Sequence, residues 1–179
     1  MKTIEQHKSL KAYNTFGVDC FCEYFISAST TEELRSALLN EDFNERFILG
    51  GGSNLLLTKN LSGLCIHVNL KGIRVIEEDD VHAIIEASAG ENWHDFVLWT
   101  LNQGYGGLEN LALIPGNIGT APIQNIGAYG VELKDSFVNC TTLETKTAIT
   151  HRFNLEEVVF GYRNSIFKTD LKGKHVITA

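Results

Sequence analysis

Apolar positions in the first third of the chain come in short runs separated by glycine and polar clusters. Phe25-Ile26-Ser27-Ala28 reads as a short strand, and Thr30-Thr31-Glu32-Glu33 has the spacing of a capping box opening a helix through Leu34, Ala37 and Leu38. Residues 46–49 predict a strand that runs straight into a triple glycine, residues 55–57 a short strand leaving it, and residues 63–68 a further strand. A composition change at Leu70-Lys71-Gly72 divides the chain into two lobes, residues 1–71 and 72–179. Residues 73–76 and 82–87 then read as strands joined by the acidic turn Glu77-Glu78-Asp79-Asp80. Asn92 caps a helix carrying Trp93, Phe96, Val97, Thr100 and Leu101, which Gly104 stops. That aromatic stripe is core packing. Residues 137–144 and 148–153 read as a hairpin, and Asn154 with Glu157 as a second capping box. The apolar run from His175 to Ala179 looks like a strand cut short. Strands and helices mix without a βαβ rhythm, so the predicted class is α+β.

Composition narrows the function classes. The chain has 179 residues, is 44% hydrophobic and 21% charged, and carries a formal net charge of −7. Its Lys and Arg residues form no run or stripe, so the basic surface that nucleic-acid binding needs is missing. No apolar run is long enough to span a bilayer, and the N-terminus has no apolar leader, which predicts a soluble cytoplasmic protein. Cys20, Cys22, Cys65 and Cys140 show no paired knuckle spacing, and the six histidines show no ligand spacing. The expectation is buried, reduced thiols and no metal.

Two glycine clusters carry the chemistry. The first is Gly50-Gly51-Gly52-Ser53-Asn54, directly behind a strand. Successive N–H groups in such a loop can turn toward one point and bind pyrophosphate oxygens. It is neither a Walker loop nor a dinucleotide G-x-G-x-x-G, and a tight strand-to-strand turn explains it equally well alone. The second cluster gathers both prolines, Pro115 and Pro122, with Gly116, Asn117, Gly119, Thr120, Gln124, Asn125, Gly127, Ala128, Tyr129 and Gly130. Its amides and hydroxyls hydrogen-bond without adding net charge. Together the clusters predict a bed for a nucleotide cofactor held from two places.

The motifs GGGSN at 50–54, GENWH at 90–94, GLENL at 107–111, IPG at 114–116, PIQNIGAYGVEL at 122–133 and FGYRNSIFK at 160–168 follow one another in this order. The chain from about Leu10 onward resembles the UDP-N-acetylenolpyruvoylglucosamine reductase family of flavoenzymes (MurB), in its type I branch. The resemblance implies a vanillyl-alcohol-oxidase/PCMH-type FAD-binding fold of two α+β lobes, with a third, substrate-binding domain that this chain lacks. It implies FAD held by both clusters, NADPH as hydride donor, and a small UDP-sugar substrate in peptidoglycan precursor synthesis, hence in cell shape and division. Some relatives of this fold tether flavin to a His or Cys in the first loop. Ser53 stands there, so non-covalent FAD is expected. Arg163 matches the arginine beside the substrate carboxylate, and Tyr162 lines the same pocket. The family's proton-donating serine and its acidic partner fall downstream, and Ser165 is not that donor. The expectation is a monomeric flavin-binding portion, inactive alone, of a reductase. A non-catalytic flavin module and an oxidase of the wider fold are the alternatives.

Overall fold

The computed structural model describes residues 3–179. The first sheet is built entirely from the N-terminal third. β1 (Glu5–Ser9) pairs antiparallel with β2 (Phe21–Ala28), and α1 (Thr31–Leu38) then crosses over to β3 (Arg46–Leu49). β4 (Leu61–Val68) lies between β2 and β3, parallel to both, so the order is β1-β2-β4-β3. Helix α1 starts where the sequence places it. The Thr30 side chain accepts a hydrogen bond from the Glu33 N–H, satisfying one of the donors a helix start leaves orphaned. Its Leu34, Ala37 and Leu38 pack with Ile26, Ala28, Leu64 and Ile66 on one face of the sheet. The other face buries Leu10, Phe25, Leu49, Leu57 and three cysteines.

Two expectations change here. The strand foreseen at residues 25–28 begins at Phe21, because β1 pairs Lys8 with Cys22 and Ser9 with Phe21. Residues 55–57 form no strand. Leu57 is buried and Leu55 packs beside it, so the segment is anchored by side chains while it returns from the edge strand β3 to start β4 inside the sheet.

The second part opens with the hairpin β5 (Ile73–Glu78) and β6 (Ala83–Ala87). Asn92 caps α2 (Trp93–Asn102) by accepting from the Asp95 N–H. A two-residue hairpin, β7 (Gly127–Ala128) and β8 (Val131–Glu132), sits in the glycine-rich stretch. β9 (Asn139–Glu144) and β10 (Thr150–Asn154) make the expected hairpin, followed by the short helix α3 (Leu155–Val158) with its reciprocal Asn154–Glu157 capping box. β11 (His175–Ile177) lies on the other side of β9, giving the order β10-β9-β11. Ala89, Leu143 and Val176 join the core under α1, which packs the two parts together.

All four cysteines are buried free thiols. Burial pushes the Cys140 thiol up to about 12 and the Cys65 thiol in the same direction, so neither is a thiolate at neutral pH. No helix among the described residues is long and apolar enough to cross a membrane.

Candidate functional site

The two glycine clusters, more than sixty residues apart in sequence, meet face to face. Ser53 Oγ donates to the Pro115 carbonyl at 3.1 Å, and Asn54 Nδ2 donates to Gln124 Oε1 at 2.7 Å. The approach needs residues without side chains. A Cβ on Gly50 would lie 2.6 Å from Thr120 Cγ2, and one on Gly51 would lie 2.6 Å from Asn117 Oδ1. Gly52, at φ +64°, rests on the backbone of Tyr13 and Asn14, and its carbonyl accepts the Thr15 N–H at 3.2 Å. The second cluster is fixed from behind: Ile118 N–H donates to Glu91 O, Gly119 N–H to Ala89 O, and Trp93 N–H to Gly116 O. Asn117 and Thr120 cap one another across a single 3-10 turn.

In the first cluster a row of donors is left over. The backbone N–H groups of Gly50, Gly51, Gly52, Ser53 and Asn54 donate to no acceptor in the protein among the described residues, although Gly52 is buried. Buried N–H groups are almost always paired, so such a row calls for an external acceptor. Successive free N–H groups in a concave loop bind the oxygens of an anion such as a pyrophosphate.

The rest of the expected set is divided between floor and rim. Tyr129 and Gly130, both at positive φ, form the tip of the β7–β8 hairpin, where right-handed strand twist favours such a two-residue turn. Tyr129 is 87% exposed and its ring is available to a ligand. Gly161 and Asn164 exchange backbone hydrogen bonds, which lifts Tyr162 and Arg163 onto the tip of a second tight turn. Arg163 Nη2 donates to the Gly127 carbonyl at 2.5 Å and makes no ion pair with a carboxylate among the described residues. Most of its guanidinium donors are therefore free. Asn125, Tyr129 and Arg163 are three of seven described non-glycine residues at positive φ, and such strain gathers at functional sites. At the end of β8, Glu132 takes a hydrogen bond from the Lys134 ammonium, which holds its carboxyl below the usual range.

Asn125 has a different place from the surface residues around it. It is fully buried, donates to Gly161 O at 3.1 Å and accepts from the Lys134 N–H at 3.1 Å. Its side chain locks the Arg163 turn to the bed. Asn125→Ala would strand both partners and leave an alanine at φ +45°. The expected loss is about 2–4 kcal/mol of unfolding free energy by urea titration, from two unmade buried hydrogen bonds. Ser165 is likewise internal, donating to Ile123 O at 2.8 Å. Sequence reasoning missed Glu91, whose carboxylate accepts from the Gly72 N–H at 2.6 Å and from Lys71 at 3.5 Å, tying the inter-lobe segment to the bed. It also missed Tyr13, Asn14 and Thr15 beneath Gly52. No local spacing signals either contact.

Two glycine loops tied together by Ser53–Pro115 and Asn54–Gln124, one of them with a row of backbone N–H groups unbonded among the described residues, make a candidate cradle for the phosphates of a nucleotide cofactor. A profile of the FAD binding domain matches residues 22–149, and the chain belongs to the FAD binding domain family; its cofactor is FAD, on the PCMH-type fold. The chain is 51% identical over 176 residues to the UDP-N-acetylenolpyruvoylglucosamine reductase of Flavobacterium johnsoniae, covering 98% of this chain and 52% of that protein. It is 48% identical over 166 residues to the same reductase of Pseudomonas putida, covering 92% and 49%. The crystal structure of UDP-N-acetylenolpyruvylglucosamine reductase (MurB) from Thermus caldophilus superposes with a TM-score of 0.76 at 27% identity, over 98% of this chain and 60% of that one. The chain spans about half the length of the curated relatives it matches.

Proposed function

We propose that this chain is the flavin-binding part of an NADPH-dependent reductase that converts UDP-N-acetylglucosamine enolpyruvate to UDP-N-acetylmuramate. The setting is peptidoglycan precursor synthesis in the cytoplasm, feeding cell shape and division, with the protein acting as a monomer on a small UDP-sugar. The reductase identity is supported by the named relatives. Flavin binding at this place is supported by the orphaned N–H row of Gly50 to Asn54 facing the second cluster.

In this reading residues 1–71 and 72–179 are two lobes with FAD between them. The N–H groups of Gly50, Gly51, Gly52, Ser53 and Asn54 take the pyrophosphate. Pro115, Gly116, Asn117, Gly119, Thr120, Gln124, Gly127, Ala128, Tyr129 and Gly130 form the facing wall, and Asn125 braces it. When bound, FAD supplies the two-electron relay between hydride donor and substrate. Ser53 has spent its hydroxyl on Pro115, and the cofactor is held without a covalent bond. Arg163 presents its free guanidinium edge to the substrate carboxylate, where negative charge grows as hydride reaches the conjugated double bond. Tyr162, 85% exposed beside it, completes the substrate wall.

Acid precipitation of the reconstituted protein should leave all flavin in the supernatant, and anaerobic NADPH should bleach the flavin absorbance beforehand. Flavin in the pellet contradicts non-covalent binding. Flavin that NADPH never bleaches contradicts the reductase and leaves a passive flavin module.

A further inference from the structure

Between Ala112 and Gly116 the chain enters the second glycine cluster, and very little of it is free to turn. The ring of Pro115 fixes its own φ, and the residue before a proline is confined to extended backbone, which holds Ile114. Ala112 is extended too, at φ −59° and ψ 156°. Leu113 is left as the pivot, and it sits in the left-handed region at φ +60°. Its side chain does not anchor it there, being 77% exposed. An L-residue is strained in that region, so something else holds the turn.

The start of α2 supplies the hold. Trp93 Nε1 donates to Leu111 O at 2.8 Å, the Trp93 N–H donates to Gly116 O at 3.0 Å, and the Ile118 N–H donates to Glu91 O at 2.9 Å. These bonds tie down the two ends of the stretch. The pivot itself is reached by a side chain: the Leu113 N–H donates to Nδ1 of the half-buried His94 at 3.2 Å. A backbone N–H can only donate, so Nδ1 is the acceptor and the ring proton sits on Nε2.

The consequence falls two residues further on. The Pro115 carbonyl takes the Ser53 hydroxyl at 3.1 Å, the bond that with Asn54–Gln124 ties the two clusters together. With Ile114 and Pro115 confined, the direction of that carbonyl is set at Leu113. We propose that His94 is a positioning residue for the cofactor bed, holding Leu113 left-handed so that the Pro115 carbonyl meets Ser53 and the second cluster stays against the first. The inference rests on the flavin reading for its ligand, while the brace itself can be followed without one.

The test titrates FAD into the full-length protein by flavin fluorescence and follows the Leu113 amide by hydrogen exchange. His94→Leu keeps the bulk and removes the acceptor. FAD affinity should fall about tenfold or more, and the Leu113 amide should exchange faster. His94→Asn can place Oδ1 where Nδ1 stands and should bind within about threefold of the unmodified protein. His94→Gln, whose amide reaches the Nε2 position, should bind as poorly as His94→Leu. The decisive variant combines His94→Leu with Leu113→Gly. Glycine adopts positive φ without a brace, so this pair should recover most of the lost affinity. Unchanged affinity in His94→Leu overturns the proposal. So does a loss that Leu113→Gly leaves unrelieved, since His94 would then act through packing on α2 and not through the turn. A Leu113 amide that exchanges freely in an unmodified protein that binds FAD overturns the brace and leaves the flavin reading standing. An unmodified protein that protects Leu113 but binds no FAD overturns the flavin reading, and with it the role proposed for His94.

Discussion

Gly52→Ala should cost about 3–5 kcal/mol of stability and abolish FAD binding, whereas Gly130→Ala should cost only about 1–2 kcal/mol. Both glycines sit at positive φ, +64° and +82°, so both substitutions carry the left-handed penalty of an L-residue. The surroundings separate them. A Cβ on Gly52 would lie 2.0 Å from the Tyr13 carbonyl oxygen and 2.9 Å from Asn14 Cα, both backbone atoms that cannot swing aside. On Gly130 it meets nothing within 4 Å. Relieving the first clash moves the loop off the Tyr13–Thr15 segment, breaks the Thr15 N–H bond to Gly52, and displaces the unbonded donors of the loop. Urea unfolding and FAD titration of the two variants measure the contrast. Equal stability losses would mean that the loop is not seated on that backbone.

On the proposed reductase reading, Arg163→Ala in the full-length protein should lower kcat by about 10² or more, the scale of a lost electrostatic stabiliser in a transition state. Flavin content should stay near normal, because the one side-chain hydrogen bond of Arg163 to the bed among the described residues is to the Gly127 carbonyl. Arg163→Lys keeps the charge and loses the planar fork, so a partial recovery separates charge from bidentate geometry. Stopped-flow measurement splits the two half-reactions. Flavin reduction by NADPH should change little, and reoxidation by the enolpyruvyl substrate should slow. Reoxidation at the unmodified rate would leave Arg163 with a structural role, holding its turn against β7.

What was legible in the sequence was whatever is local. Thr30, Asn92 and Asn154 announce their helices because each capping oxygen and the N–H that donates to it lie three residues apart. β3 and the β9–β10 hairpin were readable for the same reason, as β-rich runs with turn residues between them. β1 was not, since Glu5–Ser9 is a polar edge strand whose partner across the ladder supplies what its own pattern lacks. The residues at 55–57 misled because Leu55 and Leu57 are apolar for packing without pairing. Motif order nominates the candidate site residues, but which of them brace and which stay open depends on contacts across long separations. Asn125 and Glu91 act as braces through bonds to Gly161 and Gly72, and no spacing rule anticipates them. The union of the two glycine clusters through Ser53–Pro115 and Asn54–Gln124 is likewise a property of the fold.

That union is the central claim, and hydrogen exchange with and without FAD tests it most directly. Without cofactor the amides of Gly50 to Asn54 have no acceptor among the described residues and should exchange rapidly. With saturating FAD they should slow at least tenfold, together with amides of the facing wall around Gly116 and Tyr129, since hydrogen-bonded amides exchange only through opening. Protection confined to one cluster, or absent from both, would contradict a single bed built from two loops.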